Sequence, residues 1–349
     1  MTNSSILNKD NSCFIIAELS ANHGGDLEIA KETIRAAKRA GADAIKLQTY
    51  TADTITLNVK TDDFKIKQGT FWDGQYLYDL YLDASLSWEW HKPLFEVANE
   101  EGLICFSSPF DKTAVDFLET LNVPAYKIAS FEITDIPLIE YVASKGKPVI
   151  ISTGIAGLED IELALAACRK AGNNDITLLQ CTSAYPAAPE DANLLTIPDM
   201  KKRFKVVVGL SDHTMGIEGP VVAVALGAKV IEKHFILNKS VGGPDAHFSL
   251  DEPEFKQMVD AVRITEKMLG KVDYELDAKK LKSREFSRSL YIAEDVKKGE
   301  VLTEKNVRSV RPGYGMHPKF YKEVLGKKIN QDVVKGTPLN KNMVSDLKS

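Results

Sequence analysis

The sequence predicts a (β/α)8 TIM barrel followed by a small, internally duplicated C-terminal domain, and three observations predict it. Eight short apolar, β-branched runs recur along the first 235 residues, helical patterns fill the gaps between them, and past residue 285 a different pattern appears and then repeats.

The runs occupy residues 14–17, 42–47, 103–107, 125–129, 148–152, 176–180, 206–210 and 230–235. Most successive starts lie about 22–29 residues apart, the room a crossover helix and two short loops need in a parallel sheet. Stretch 27–40 carries an apolar stripe ahead of Gly41, and 158–171 does the same ahead of Gly172, so each predicted helix stops at a glycine. No GxGxxG follows the first run, and eight strands more readily close than stay open, which favours a barrel over a doubly wound sheet. Between the second and third runs about 60 residues intervene, more than one crossover requires. The insert, 49–90, is rich in aromatics (Phe64, Phe71, Trp72, Tyr76, Tyr78, Tyr81, Trp88), as a cover for the barrel mouth or a substrate lid would be.

A last helical stretch, 252–269, closes the barrel domain at 1–270, and the charged segment 271–285 reads as a linker. In the tail, 286–349, Asp295-Val296-x-Lys298-Gly299-x-x-Leu302 with Val307 recurs as Asp332-Val333-x-Lys335-Gly336-x-x-Leu339 with Val344. Neither copy can bury a core alone, so the two are expected to fold against one another as a mostly irregular β unit.

Composition narrows the function. Of 349 residues 44% are hydrophobic and 27% charged, ample for a large core; 44 Lys and Arg stand against 49 Asp and Glu, with no basic block to track nucleic acid. The polar start, 1–11, and the lack of any run of about 18 apolar residues predict a cytoplasmic protein without a membrane partner. Cys13, Cys105, Cys168 and Cys181 form no CxxC pair and read as reduced filler.

The ends of barrel strands converge on one pocket, and here they carry Glu18; Lys46 and Gln48; Ser107 and Ser108; Lys127 and Ser130; Ser152 and Thr153; Thr182, Ser183 and Tyr185; Ser211, Asp212 and His213; Glu232, Lys233 and His234. His213 and His234 end neighbouring strands, beside Asp212 and Glu232. Two imidazoles with oxygen completing the shell suit Mn²⁺, Co²⁺ or Mg²⁺, and missing thiolates argue against structural zinc. Lys46 and Lys127, among the hydroxyls of Ser108, Ser130, Ser152, Ser183 and Ser211, suit an anionic three-carbon substrate. A class I aldolase with a Schiff-base lysine is the rival chemistry, though it has no use for two histidines. A non-enzymatic ice- or carbohydrate-binding role is disfavoured by the lysine-rich tail.

Several motifs bear a resemblance: Ala17-Glu18-Leu19-Ser20-Ala21-Asn22-His23-Gly24-Gly25, Lys46-Leu47-Gln48-Thr49, Phe106-Ser107-Ser108-Pro109-Phe110, Tyr126-Lys127-Ile128-Ala129-Ser130, Gly209-Leu210-Ser211-Asp212-His213 and Glu232-Lys233-His234-Phe235. Over nearly the whole chain the sequence resembles the nonulosonic acid synthases, and the duplicated tail with Val310-Arg311-Pro312-Gly313 resembles their antifreeze-like (SAF, β-clip) domain. Gln48-Thr49-Tyr50-Thr51, Phe71-Trp72 and Phe131-Glu132 are similar to the family's pseudaminic branch, with the legionaminic and N-acetylneuraminic branches as alternatives. The resemblance implies a transferase that condenses phosphoenolpyruvate with a deoxy-diacetamido hexose, 2,4-diacetamido-2,4,6-trideoxy-L-altrose. It further implies Glu18 as catalytic acid or base with Lys46 and Lys127 beside it, and His213 and His234 on a divalent metal, manganese first. Lys46, Ser108, Lys127, Ser130, Ser152, Ser183 and Ser211 would bind phosphoenolpyruvate; Gln48, Tyr185, Asp245 and Arg311 would touch the sugar. A homodimer that swaps tails completes the expectation.

Overall fold

The computed structural model describes residues 12–67, 69 and 72–347; the polar start and Phe71 of the insert lie outside them. The chain divides into two compact units, Met1–Gly270 and Lys271–Ser349.

In the first unit eight parallel strands close into a barrel in chain order: β1 (Phe14–Glu18), β2 (Ala44–Thr49), β3 (Ile104–Pro109), β4 (Tyr126–Ile128), β5 (Val149–Ser152), β6 (Ile176–Cys181), β7 (Val207–Asp212) and β8 (Val230–His234). Closure is made by β1 on β8, with Ile16 opposite Glu232 and Glu18 opposite His234. Every one of the eight apolar runs is a strand. The strand expected from residue 42 begins at Ala44, because Gly41 and Ala42 are consumed in ending the preceding helix, Leu27–Arg39: Gly41 takes a left-handed φ of 92° and the Ala42 N–H bonds back to the Ala37 carbonyl. Asp26 caps the start of that helix through the Glu28 and Ile29 N–H groups. The predicted helix at 252–269 is Glu252–Leu269, opened by a reciprocal Asp251–Glu254 capping box.

The insert holds two short helices, Ala52–Ile55 and Leu77–Ala84, and between them a hairpin arm. The arm is pinned by a Lys65–Tyr76 bridge and by backbone bonds from Ile66 N to Gln75 O and from Gly74 N to Ile66 O.

In the second unit the segment expected as a linker carries a seven-residue helix, Ala278–Arg284. Beyond it, β9 (Ser289–Ile292) and β10 (Val307–Val310) pair antiparallel, and the two sequence repeats fold onto each other reciprocally. Val296 and Val333 exchange backbone bonds; Asp332 accepts from the Lys298 N–H at 2.8 Å, as Asp295 does from the Lys335 N–H at 2.8 Å. The repeated apolar positions, Val296, Leu302 and Val307 with Val333, Leu339 and Val344, are buried in one core. The repeated aspartates and glycines therefore serve a pseudo-two-fold interface, which is why they recur at fixed spacing.

Candidate active site

Strand alternation decides which side chains meet. Phe14, Ile16, Ala44, Phe106, Ile150, Leu179 and Val230 form an apolar floor inside the barrel. One or two pleats further along those strands stand Glu18, Lys46, Gln48, Ser108, Ser152, Cys181, Glu232 and His234, all facing the same way. The same periodicity corrects part of the strand-end expectation. Asp212 and Lys233 point outward and pair with each other, with Lys233 also donating to the Thr214 carbonyl. Ser107 lies outside the barrel too, sharing a hydrogen bond with Thr49, which in turn bonds His91. Thr153 and Thr182 spend their hydroxyls on the carbonyls of Leu179 and Asp191.

At the centre of the inward layer Lys46 Nζ lies 3.0 Å from Glu18 Oε2 and 3.0 Å from Glu232 Oε1. Lys127 Nζ approaches the same Glu232 oxygen at 3.4 Å, and the Ser211 hydroxyl donates to it at 2.9 Å. Gln48 donates to Glu18 Oε1 at 3.1 Å and to the Ser20 hydroxyl at 3.1 Å, and Ser20 donates to Asp245. Glu18, Lys46, Lys127, Glu232 and Asp245 are all buried.

Two carboxyls in one low-dielectric site are driven apart. Burial pushes Glu18 up, the Glu232 charge adds to this, and Lys46 and Lys127 only partly offset it, so Glu18 titrates at about 7. Burial acts upward on Glu232 as well, but the Lys127 and Lys46 ammoniums beside it prevail and hold it at about 2. Glu18 is thus poised to exchange a proton near neutrality, while Glu232 stays ionised and anchors both lysines. Lys127 is pushed below the usual ammonium value by burial, against the pull of Glu232.

The two histidines meet beside this cluster with ring centroids 5.2 Å apart. His213 Nδ1 lies 2.8 Å from the Thr182 carbonyl; a carbonyl only accepts, so the proton sits on Nδ1 and Nε2 keeps its lone pair. His234 Nδ1 is buried without a hydrogen bond, 3.6 Å from Asp245 Oδ2. Burial lowers His213 to about 4 and takes His234 well below its ordinary value, leaving both imidazoles neutral. Neutral imidazoles with a free lone pair fit a divalent cation. Among the described residues no group of three or more His, Cys, Asp or Glu converges to hold a metal, so this chain would supply two nitrogens and leave the remaining positions to oxygen from water or substrate.

Hydroxyls complete the layer. Ser130 and Ser183 share a hydrogen bond at 2.7 Å, and the Ile155 N–H donates to Ser130 at 3.1 Å. The Ser108 and Ser152 hydroxyls are buried with no protein partner, the state of a group built to meet a ligand. Gly154 lets the hydroxyls approach: a Cβ there would stand 2.3 Å from Ser183 Oγ and 2.7 Å from Ser130 Oγ. Tyr185 leans on His213 at 4.3 Å between ring centroids and Phe248 on His234 at 4.9 Å.

Thirteen of the fourteen expected site residues thus belong to the barrel unit. Arg311 belongs to the second unit, where it lines a groove of about 550 Å³ with Lys279, Lys280, Ser283, Arg284 and Phe286. A groove of about 710 Å³ between the helix Trp88–Glu100 and the start of β3 carries none of this chemistry. The sequence shows Glu232 as a strand end beside the two histidines but not its contact with both lysines, and nothing in the sequence distinguishes Gly154.

Comparison with known proteins gives two family matches, the NeuB family over residues 33–274 and the SAF domain over residues 287–345. The chain is 53% identical over 335 residues to the pseudaminic acid synthase of Campylobacter jejuni subsp. jejuni serotype O:23/36, covering 96% of this chain and 97% of that one. It is 51% identical to the pseudaminic acid synthase of Helicobacter pylori, covering 93% and 96%. Among solved structures it resembles the spore coat polysaccharide biosynthesis protein SpsE of Bacillus subtilis, with a TM-score of 0.65, 35% identity, and coverage of 98% of this chain and 97% of that one.

Proposed function

We infer that this chain, which belongs to the NeuB family and ends in a SAF domain, is a phosphoenolpyruvate-dependent transferase of pseudaminic acid biosynthesis. It condenses phosphoenolpyruvate with 2,4-diacetamido-2,4,6-trideoxy-L-altrose and releases phosphate by C–O cleavage. The observation that carries this reading is the single buried layer in which two carboxyls of opposed acidity, two lysines and two partnerless hydroxyls stand beside a pair of neutral imidazoles.

Lys46 and Lys127 meet the negative charge of phosphoenolpyruvate, and Ser108, Ser130, Ser152, Ser183 and Ser211 orient its oxygens. Glu232 holds both ammoniums in place while they do so. Gln48, Tyr185 and Asp245 face the sugar. His213 and His234 would hold a divalent cation, manganese ahead of cobalt or magnesium, and such an ion polarises an aldehyde oxygen. C3 of phosphoenolpyruvate attacks the aldehyde carbon as the C=O π pair moves to its oxygen, cationic character develops at C2, and Glu18 takes a proton from the water that adds there, which balances the proton that turns the former aldehyde oxygen into a hydroxyl. Collapse of the tetrahedral adduct breaks the bond between C2 and the bridging oxygen, giving phosphate and a 2-keto-3-deoxy acid.

The working form is a homodimer in which each SAF unit serves the partner's barrel through Arg311. Two observations support it. Met268, Val272, Tyr274, Leu276, Leu281 and Phe286, close together in sequence on either side of residue 270, are exposed apolar residues. Charge is also divided, with 18 Lys and Arg against 11 Asp and Glu in residues 271–349, but 26 against 38 in residues 1–270. Among the described residues no helix is long and apolar enough to cross a membrane, and a cytoplasmic setting suits both the substrate and four unpaired cysteines.

Phosphate release across a panel of deoxy-diacetamido hexoses and N-acetylmannosamine tests the reading. Selective turnover of the altrose supports it; equal or better turnover of N-acetylmannosamine or of a legionaminic precursor moves the chain to another branch.

A further inference from the structure

We propose that Trp72 is a specificity-determining residue that makes the site select a sugar without a hydroxyl at C6, an assignment that rests on the altrose reading above. The hairpin arm leaves the barrel after β2, yet Trp72 packs on Tyr185, which follows β6, with ring centroids 6.2 Å apart. In a closed eight-strand barrel β2 and β6 stand opposite one another, so the arm crosses the mouth. Tyr185 continues the contact to Phe248 at 5.4 Å, and these two rings flank His213 and His234 at 4.3 and 4.9 Å. Trp72, Tyr185 and Phe248 thereby form one aromatic wall beside the imidazoles. The polar side chains Gln48, Ser20 and Asp245 form a separate connected group.

A sugar bound with its carbonyl end at the imidazoles lays one edge along this wall. A methyl group there loses water and gains contact with rings. A hydroxyl there gives up its hydrogen bonds to water and finds faces of Trp72 and Phe248 that cannot replace them. Tyr76, the other aromatic on the arm among the described residues, is spoken for: its ring carries the Lys60 ammonium 4.8 Å from the centroid, at the base of the arm.

The test compares phosphate release with 2,4-diacetamido-2,4,6-trideoxy-L-altrose and with its C6-hydroxylated counterpart. The wild-type protein is expected to favour the 6-deoxy sugar by about 100-fold in kcat/KM, the scale on which an apolar pocket rejects one added hydroxyl. In Trp72→Ala the preference should fall below about 10-fold with the KM for phosphoenolpyruvate unchanged, while Trp72→Phe and Tyr76→Ala keep it. Trp72→Gln, which offers an amide to a hydroxyl, should raise absolute efficiency with the hydroxylated sugar, a gain that a misfolded variant cannot show. An unchanged preference in Trp72→Ala together with no gain in Trp72→Gln overturns the assignment while leaving the altrose reading intact. Wild-type protein that turns over neither sugar overturns both.

Discussion

Replacing Glu18 with glutamine should separate stability from activity in opposite directions. Burial holds this carboxyl at about 7 against an ordinary 4.5, so below pH 4.5 it is neutral whether the chain is folded or unfolded and costs nothing. Between those values the unfolded chain releases the proton while the folded chain keeps it, and folded stability falls by about 1.4 kcal/mol per pH unit. By pH 8 the accumulated cost reaches about 3 kcal/mol, borne by the native state to keep an ionisable group in the barrel. Glutamine preserves the shape and the oxygen that accepts from Gln48 at 3.1 Å, and Lys46 keeps its other carboxylate, Glu232, at 3.0 Å. The variant should therefore match wild type near pH 5 and become the more stable protein as pH rises, by about 3 kcal/mol at pH 8, or roughly 6–12 °C in Tm for a domain of this size. Turnover should fall by about 100-fold or more at pH 8, where wild-type Glu18 is ionised and can accept a proton, and by progressively less toward pH 5, with phosphoenolpyruvate binding largely retained. Thermal unfolding of both proteins from pH 5 to 8, beside titration with phosphoenolpyruvate, reads all of this. Parallel stability profiles would refute the raised pKa, and near-normal turnover would pass the proton transfer to Glu132 or Glu232.

Further predictions concern the other groups. Removing divalent cations, verified by elemental analysis, should abolish turnover and lower Tm relative to protein resupplied with Mn²⁺; full activity of metal-free protein would end the metal reading of His213 and His234. Borohydride with substrates should leave no adduct on Lys46 or Lys127, whereas a trapped lysine would revive the Schiff-base alternative. Gly154→Ala, by forcing a carbon against the Ser130 and Ser183 hydroxyls, should weaken phosphoenolpyruvate binding by about 10-fold or more, as a misplaced pair of polar contacts does; an unchanged KM would detach those serines from the substrate. Mixing Arg311→Ala subunits with Glu18→Gln subunits should restore some activity, since one barrel of the heterodimer combines an intact Glu18 with the partner's intact Arg311. No recovery in proven heterodimers would remove Arg311 from the partner's site.

How far the sequence was legible depended on whether the signal was local. Strands β1 to β8 were visible because each is a short apolar run between polar loops, and the tail was visible because Asp295 and Asp332 must recur to cap each other's repeat. The insert hid its form: Trp72 reaches Tyr185 across the barrel, and no periodicity records a contact made with another loop. Asp212 and Lys233 end their strands but turn outward, because Ser211 and Asp212 are consecutive and cannot both face the axis. Glu232 is visible in the sequence as a strand end, but its partners are not. Its importance comes from closure of β8 on β1, which brings it to Lys46, and from β4, which brings Lys127 to the same oxygen. Gly154 acts through the space that it leaves empty.

The most direct test uses phosphoenolpyruvate carrying ¹⁸O in its bridging position, incubated with the protein, Mn²⁺ and 2,4-diacetamido-2,4,6-trideoxy-L-altrose. If water adds at C2 with help from Glu18 and the C–O bond then breaks, the label leaves in the released phosphate and the ketone oxygen comes from solvent. Label retained in the nine-carbon product, or no condensation with this sugar, would contradict the account.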